Sequence, residues 1–151
     1  MLRTRLNDAL KDAMKAKEQC ATATLRLILA ALKDRDIAAR GNGESELVGE
    51  DQILELLQKM IRQRRESIEA YQKGGRDDLV AKEEDEIQVI ERFLPKPLSE
   101  TETREAVEGV ISELAASTIK DMGKVMGALK QRYPGRMDFG KASALVKQAL
   151  V

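Results

Sequence analysis

Apolar residues return along this chain at intervals of three and four, with no period-2 run of β-branched residues anywhere. Leu2, Leu6, Leu10, Ala13 and Met14 keep the helical spacing and predict a first amphipathic helix over residues 2–17. Leu25, Ile28, Leu29 and Leu32 predict a second, from near Thr22 to just before Gly41. A Gly- and acid-rich loop over 41–49 follows. Ile53, Leu57, Met60, Ile61, Ile68 and Tyr71 share one face of a third helix, Asp51–Lys73, which Gly74-Gly75 stops. A fourth, from Asp77 to about Phe93, carries Leu79, Ile87, Ile90 and Leu94 inward.

Pro95-Lys96-Pro97 interrupts the pattern, because proline restricts both itself and the residue before it. The reading is an all-α fold in two domains. Residues 1–95 form a helical domain of about four helices, and residues 96–151 a small three-helix domain. The second opens with Ser99-Glu100-Thr101-Glu102, a capping box with serine first and glutamate three residues on. Val107, Val110, Ile111 and Leu114 continue that fifth helix, and Thr118 is placed to cap the sixth. Pro134-Gly135 turns the chain, and Ala142, Leu145, Val146 and Ala149 make a last short helix.

The sixth helix is the most informative stretch. Met122, Val125, Met126 and Leu129 fall at i, i+3, i+4 and i+7 and make its apolar stripe. Gly123 and Gly127 make a second strip without side chains. Glycine inside a helix costs roughly 1 kcal/mol relative to alanine, so two in one short helix need a reason. Two reasons fit: close crossing of the short helices, or close approach of a ligand. Lys120, Lys124 and Lys130 surround the strip, and Arg132 and Arg136 follow in the turn Arg132-Tyr133-Pro134-Gly135-Arg136.

This run resembles the C-terminal signature of the GatB/YqeY family, which includes the tail of the B subunit of the tRNA-dependent amidotransferase. The likeness continues through Thr24-Leu25-Arg26-Leu27-Ile28-Leu29-Ala30-Ala31-Leu32-Lys33, Gln63-Arg64-Arg65-Glu66-Ser67-Ile68-Glu69 and Phe93-Leu94-Pro95-Lys96-Pro97-Leu98-Ser99-Glu100. The order and spacing of these segments identify the chain as similar to free-standing YqeY-like proteins. One departure is the loop Gly41-Asn42-Gly43-Glu44-Ser45, longer than the family's usual connection.

Composition narrows the chemistry. Charged residues make up 34% of the chain and aromatics only 3%, so the core is aliphatic and disorder is disfavoured. The net charge of zero conceals an uneven spread. Residues 1–95 hold 17 Lys and Arg against 19 Asp and Glu, residues 96–117 two against five, and residues 118–151 seven against two. The C-terminal end is therefore basic, at +5. With no apolar leader and no run of transmembrane length, the expected location is cytoplasmic, with no membrane partner.

The chain lacks the residues of most catalytic constellations. No histidine is present, and the single cysteine, Cys20, is expected in a buried or helix-capping position. Cys/His zinc sites, histidine triads and phosphate-cradling glycine loops are all missing from the sequence. Glu83-Glu84-Asp85-Glu86 diverge around a helix and read as a solvated face, with Lys82 and Glu86 a surface pair. In Arg62-Gln63-Arg64-Arg65, Arg62 is expected to pair with Glu66 and Arg65 with Glu69. Arg64, with no such partner, is expected to pack against the first two helices.

The resemblance implies an association with tRNA-dependent amidation, a glutamine-dependent carbon–nitrogen ligase reaction on Glu-tRNA or Asp-tRNA. In that family the chemistry belongs to the B subunit's catalytic domain and to another subunit, and neither has a counterpart in these 151 residues. The expectation is a non-catalytic tRNA-binding or accessory protein without a cofactor. The resemblance implies tRNA as partner of the C-terminal domain, and the local charge and glycine pattern points to Lys120, Gly123, Lys124, Gly127, Lys130, Arg132 and Arg136 as the contacts. The resemblance also implies amidotransferase or tRNA synthetase components as protein partners. The alternative is a protein–protein adaptor that binds no RNA.

Overall fold

A computed structural model describes residues 1–43 and 47–150. Glu44 and Ser45 of the expected long loop lie outside the described residues. Among the described residues seven α-helices follow one another: α1 (Leu2–Lys15), α2 (Gln19–Gly41), α3 (Glu50–Lys73), α4 (Asp77–Glu91), α5 (Glu100–Glu113), α6 (Met122–Arg132) and α7 (Phe139–Leu150). One turn of 3-10 helix, Ile119–Asp121, leads into α6. No strand occurs among the described residues, and the fold is all-α.

The chain divides into two compact units, Met1–Leu94 and Pro95–Val151. In the first, α1 packs on α2, and α4 packs along α3 and against α2. Leu6, Leu25, Ile28, Leu57 and Ile90 are wholly buried between them. In the second, α5, α6 and α7 enclose Val107, Val110, Val125, Leu129 and Val146. Both cores are almost entirely aliphatic, as a chain so poor in aromatics requires.

Helix ends differ from the sequence expectation for a local reason. α1 stops at Lys15 rather than 17 because Lys17 takes the left-handed conformation, φ +58°. The Glu18 N–H then bonds the Ala13 carbonyl at 3.0 Å and the Lys17 N–H bonds that of Met14 at 3.2 Å. This closure satisfies the last carbonyls and lets α2 start at Gln19, before Thr22. The same closure follows α3 with Gly75 and α5 with Ala115 in the left-handed conformation, φ +70° and +51°. Only one of the three carries the glycine that would announce it. Met14, expected inward, lies outward on α1, and Ala149 does the same on α7.

Polar contacts fix the first unit. The Leu2 N–H donates to Glu50 Oε1 at 2.8 Å, and Arg3 Nη2 donates to the Val48 carbonyl at 3.0 Å. Arg64 does not pack as a lone cation. Its Nε donates to Glu86 Oε2 at 2.9 Å from α3 to α4, with both side chains largely buried. The acidic run on α4 is therefore not simply a solvated face. Glu83 is half-buried, and burial pushes its carboxyl pKa up, with Glu86 adding to the effect. Arg65 reaches Glu91 at 3.6 Å rather than Glu69. These partners lie a helix away, beyond the reach of i,i+4 reasoning.

Candidate nucleic-acid interface

Local sequence orients α6. At about 100° per residue, Val125 and Leu129 define its inward direction, with Met122 and Met126 beside them. Val125 and Leu129 are fully buried, and both methionines pack against the same core. The opposite direction carries, in order around the helix, Lys130, Gly123, Gly127, Gln131 and Lys124, all exposed. Lys130 and Lys124 thus bracket the glycine strip from its two sides.

Nothing in the described protein crowds that strip. A Cβ added at Gly123 or at Gly127 would have no heavy atom within 4 Å beyond the helix's own backbone. Of the two reasons that fit the glycines in sequence, close helix crossing is thereby removed for the described residues. What remains is an open backbone surface between two ammonium groups.

Entry to α6 is built by Asp121. Its carboxylate accepts the N–H groups of Ser117 at 3.1 Å and Thr118 at 3.4 Å. Those N–H groups hold the Asp121 carboxyl below its ordinary pKa, with Lys124 contributing. Thr118 caps the 3-10 turn rather than α6 itself. The loop N–H groups are therefore taken by the protein's own carboxylate. Positive charge on this face comes from lysine side chains instead, with Lys120 exposed on the 3-10 turn.

The two arginines stand apart from the lysines. Arg132 forms an ion pair with Glu113 at the end of α5, and that hydrogen bond raises its pKa further. Arg136 is half-buried, and its Nε donates to the Lys96 carbonyl at 3.1 Å. Its own carbonyl accepts the Leu98 N–H at 2.8 Å. Gly135, at φ +75°, makes the turn that brings Arg136 there. The geometry groups Lys124, Lys130, Gly123 and Gly127 on one helix face. It gives Arg132 and Arg136 partners of their own.

Gln131 was missed in sequence, although its place four residues after Gly127 was enough to find it. Cys20 is exposed in the first turn of α2. Among the described residues, no group of three or more His, Cys, Asp or Glu is arranged to hold a metal ion. No helix among them is long and apolar enough to cross a membrane.

A profile of Yqey-like proteins matches residues 3–150. The chain belongs to the YqeY family. Similar proteins include "Altered inheritance of mitochondria protein 41, mitochondrial" from Lachancea thermotolerans, 38% identical over 114 residues. That match covers 74% of this chain and 59% of the relative. The proteins of the same name from Eremothecium gossypii and Saccharomyces cerevisiae are 38% and 35% identical over 89 residues. Those matches cover 59% of this YqeY chain and 46% of each relative. The chain spans about half the length of the curated relatives it matches.

These names correct the expected cytoplasmic location. The yeast relatives are named as mitochondrial proteins, so the expectation of a cytoplasmic protein does not hold for the relatives this chain matches. The reason is physical: mitochondrial targeting segments are amphipathic and Arg-rich rather than apolar, so a criterion based on apolar leaders does not speak to that compartment.

Proposed function

We propose that this YqeY-family protein is a non-catalytic tRNA-binding accessory of tRNA-dependent amidation, and that the outer face of α6 is its RNA contact. The observation that carries the reading is the open glycine strip between Lys124 and Lys130. Two exposed glycines weaken a helix of 11 residues by roughly 1 kcal/mol each and meet no neighbour inside the protein. A sugar-phosphate backbone seated on the strip supplies the missing reason. It needs close approach to the helix and cations at its phosphates, and gains both here. The likeness to the amidotransferase tail supports tRNA as the nucleic acid, and amidotransferase or tRNA synthetase components as the neighbouring proteins.

The test is the affinity of the full chain for unfractionated tRNA measured across a range of salt. The double variant Lys124→Glu, Lys130→Glu is expected to keep its helical circular dichroism, since both residue types are good helix formers. It is expected to bind more weakly and to flatten the plot of log affinity against log salt by about two units, one per phosphate contact. An unchanged affinity and slope would remove the RNA reading and leave the adaptor role.

A further inference from the structure

The first unit carries a feature that RNA binding by α6 does not use. Between α2 and α3 runs an open groove of about 390 Å³. Leu27 and Ala31 on α2 face Leu56 and Met60 on α3 across it. Leu56 and Met60 are buried floor, while Leu27 is 51% exposed. Spacings of four residues on each helix place these side chains one turn apart, so the apolar strip extends along the helix axes. Leu27, a large apolar side chain half in water beside an apolar floor, gains by being covered.

Charge around the strip selects what covers it. Arg35 lies half-buried on one wall, its Nη1 donating to the uncharged Gln52 carbonyl at 3.3 Å, and Lys59 lies exposed on the other. Arg64 also lines the groove, but its guanidinium is held by Glu86. Asp34 is the single carboxylate among the lining residues. The walls are thus net cationic along an apolar floor. We propose that this groove docks an acidic amphipathic helix of a partner protein, with its apolar residues over Leu27 and Met60 and its carboxylates toward Arg35 and Lys59. Helix-in-groove recognition uses apolar anchors one turn apart on the incoming helix, and Leu27 and Ala31 on one wall and Leu56 and Met60 on the other offer apolar contacts at that one-turn spacing. A nucleic acid fits poorly, because Leu27, Ala31, Leu56 and Met60 make an apolar floor and no lining residue is an aromatic platform for bases.

The experiment uses the full chain and a fluorescent 16-residue helical peptide with leucines at i, i+4, i+7 and i+11 and glutamates flanking them. A second peptide carries lysine at every glutamate. The acidic peptide is expected to bind, and the lysine peptide to bind at least tenfold more weakly. Leu27→Glu and, separately, Lys59→Glu are each expected to weaken the acidic peptide about tenfold or more, the second with lysine-peptide binding improved. Both positions are exposed, and circular dichroism checks that both variants fold. Equal binding of the two peptides, or no loss in both variants, overturns the proposal. So does sedimentation showing a dimer that Leu27→Glu dissociates, which would make the occupant a second copy of the chain. Displacement of the acidic peptide by tRNA from a chain carrying Lys124→Glu and Lys130→Glu would assign the groove to RNA and overturn it as well. Because those two lysines lie in the other unit, the outcome here is independent of whether α6 binds RNA.

Discussion

The Arg3 guanidinium closes on the Asp36 carboxylate with two parallel hydrogen bonds, Nη1 to Oδ2 at 2.9 Å and Nη2 to Oδ1 at 2.7 Å. Oδ1 also accepts the Val48 N–H at 3.1 Å, so one buried carboxylate joins α1, α2 and the segment entering α3. Planar two-point pairing of this kind is the strongest form of ion pair, and it loses most when one partner is removed. Asp36→Ala is expected to destabilise the first unit by about 3 kcal/mol in urea denaturation. A loss below about 0.5 kcal/mol, within the range of an ordinary surface change, would show the pair to be ornamental.

The same pair sets an acid limb. The hydrogen bonds from Arg3 hold the Asp36 carboxyl below its ordinary value of 3.8, and the Val48 N–H adds to this. A depressed pKa in the folded state contributes stability that is complete above the unfolded value and disappears as pH falls through the folded one. Wild-type protein should therefore lose stability as pH drops below about 4, and Asp36→Asn should show a shallower fall over the same interval. Identical slopes in the two proteins, from urea midpoints at pH 2 to 6, would contradict the assignment.

Thr24 is 1% exposed, and its hydroxyl has no hydrogen-bond partner among the described residues. A buried hydroxyl without a partner costs about 1–3 kcal/mol, and valine has nearly the same shape. Thr24→Val is expected to raise the urea midpoint, by about 1 kcal/mol of stability. A lower midpoint would mean that the hydroxyl has a bound water to lose.

Alanine at Gly123 or Gly127 separates stability from binding. With open space at both positions, each substitution is expected to stabilise α6 by about 1 kcal/mol. Each is also expected to weaken tRNA binding, because a methyl group lifts the backbone of the nucleic acid off the helix. Stabilised variants with undiminished affinity would show that the strip is not the contact surface.

Arg132 and Arg136 are expected to behave unlike the lysines. Arg136→Ala removes the bond to the Lys96 carbonyl and should lower stability by about 1 kcal/mol, while changing the salt dependence of tRNA binding little. Arg132→Ala frees Glu113 and should leave the denaturation midpoint nearly unmoved. A large drop in salt slope from either variant would place phosphates at the arginines after all.

Periodicity was enough to read the helices and the aliphatic core, because Leu25, Ile28 and Leu32, or Val125 and Leu129, announce their inward face by spacing alone. The capping box was legible for the same reason: Ser99 Oγ accepts the Glu102 N–H at 3.1 Å, and Glu102 Oε1 accepts the Ser99 N–H at 3.2 Å. What sequence hid are relations between helices. Arg64 finds Glu86 22 residues away, and Arg3 finds Asp36 33 away, and neither separation leaves a mark in the local pattern. Lys17 and Ala115 hid their helix ends because neither is glycine. For the candidate interface, the lysines and glycines were visible one by one. Their arrangement around α6 needed only the helical angle, but the commitments of Arg132 and Arg136 needed the fold.

Arg136 also orders events in time. The Leu98 N–H and the Lys96 carbonyl, at the very start of the second unit, are satisfied only by a residue about forty positions later. Val107 and Val110 likewise wait for α6 and α7 to cover them. During synthesis, domains fold as units from the N-terminus. Residues 1–94 can therefore complete their core on the ribosome while α5 emerges with its apolar side still bare. Emergence of α7 decides when that exposure ends. A premature stop near Arg132 would release a product whose first unit has all its core partners and whose remainder is a helix with an uncovered valine face, the kind of species that chaperones and proteases take up.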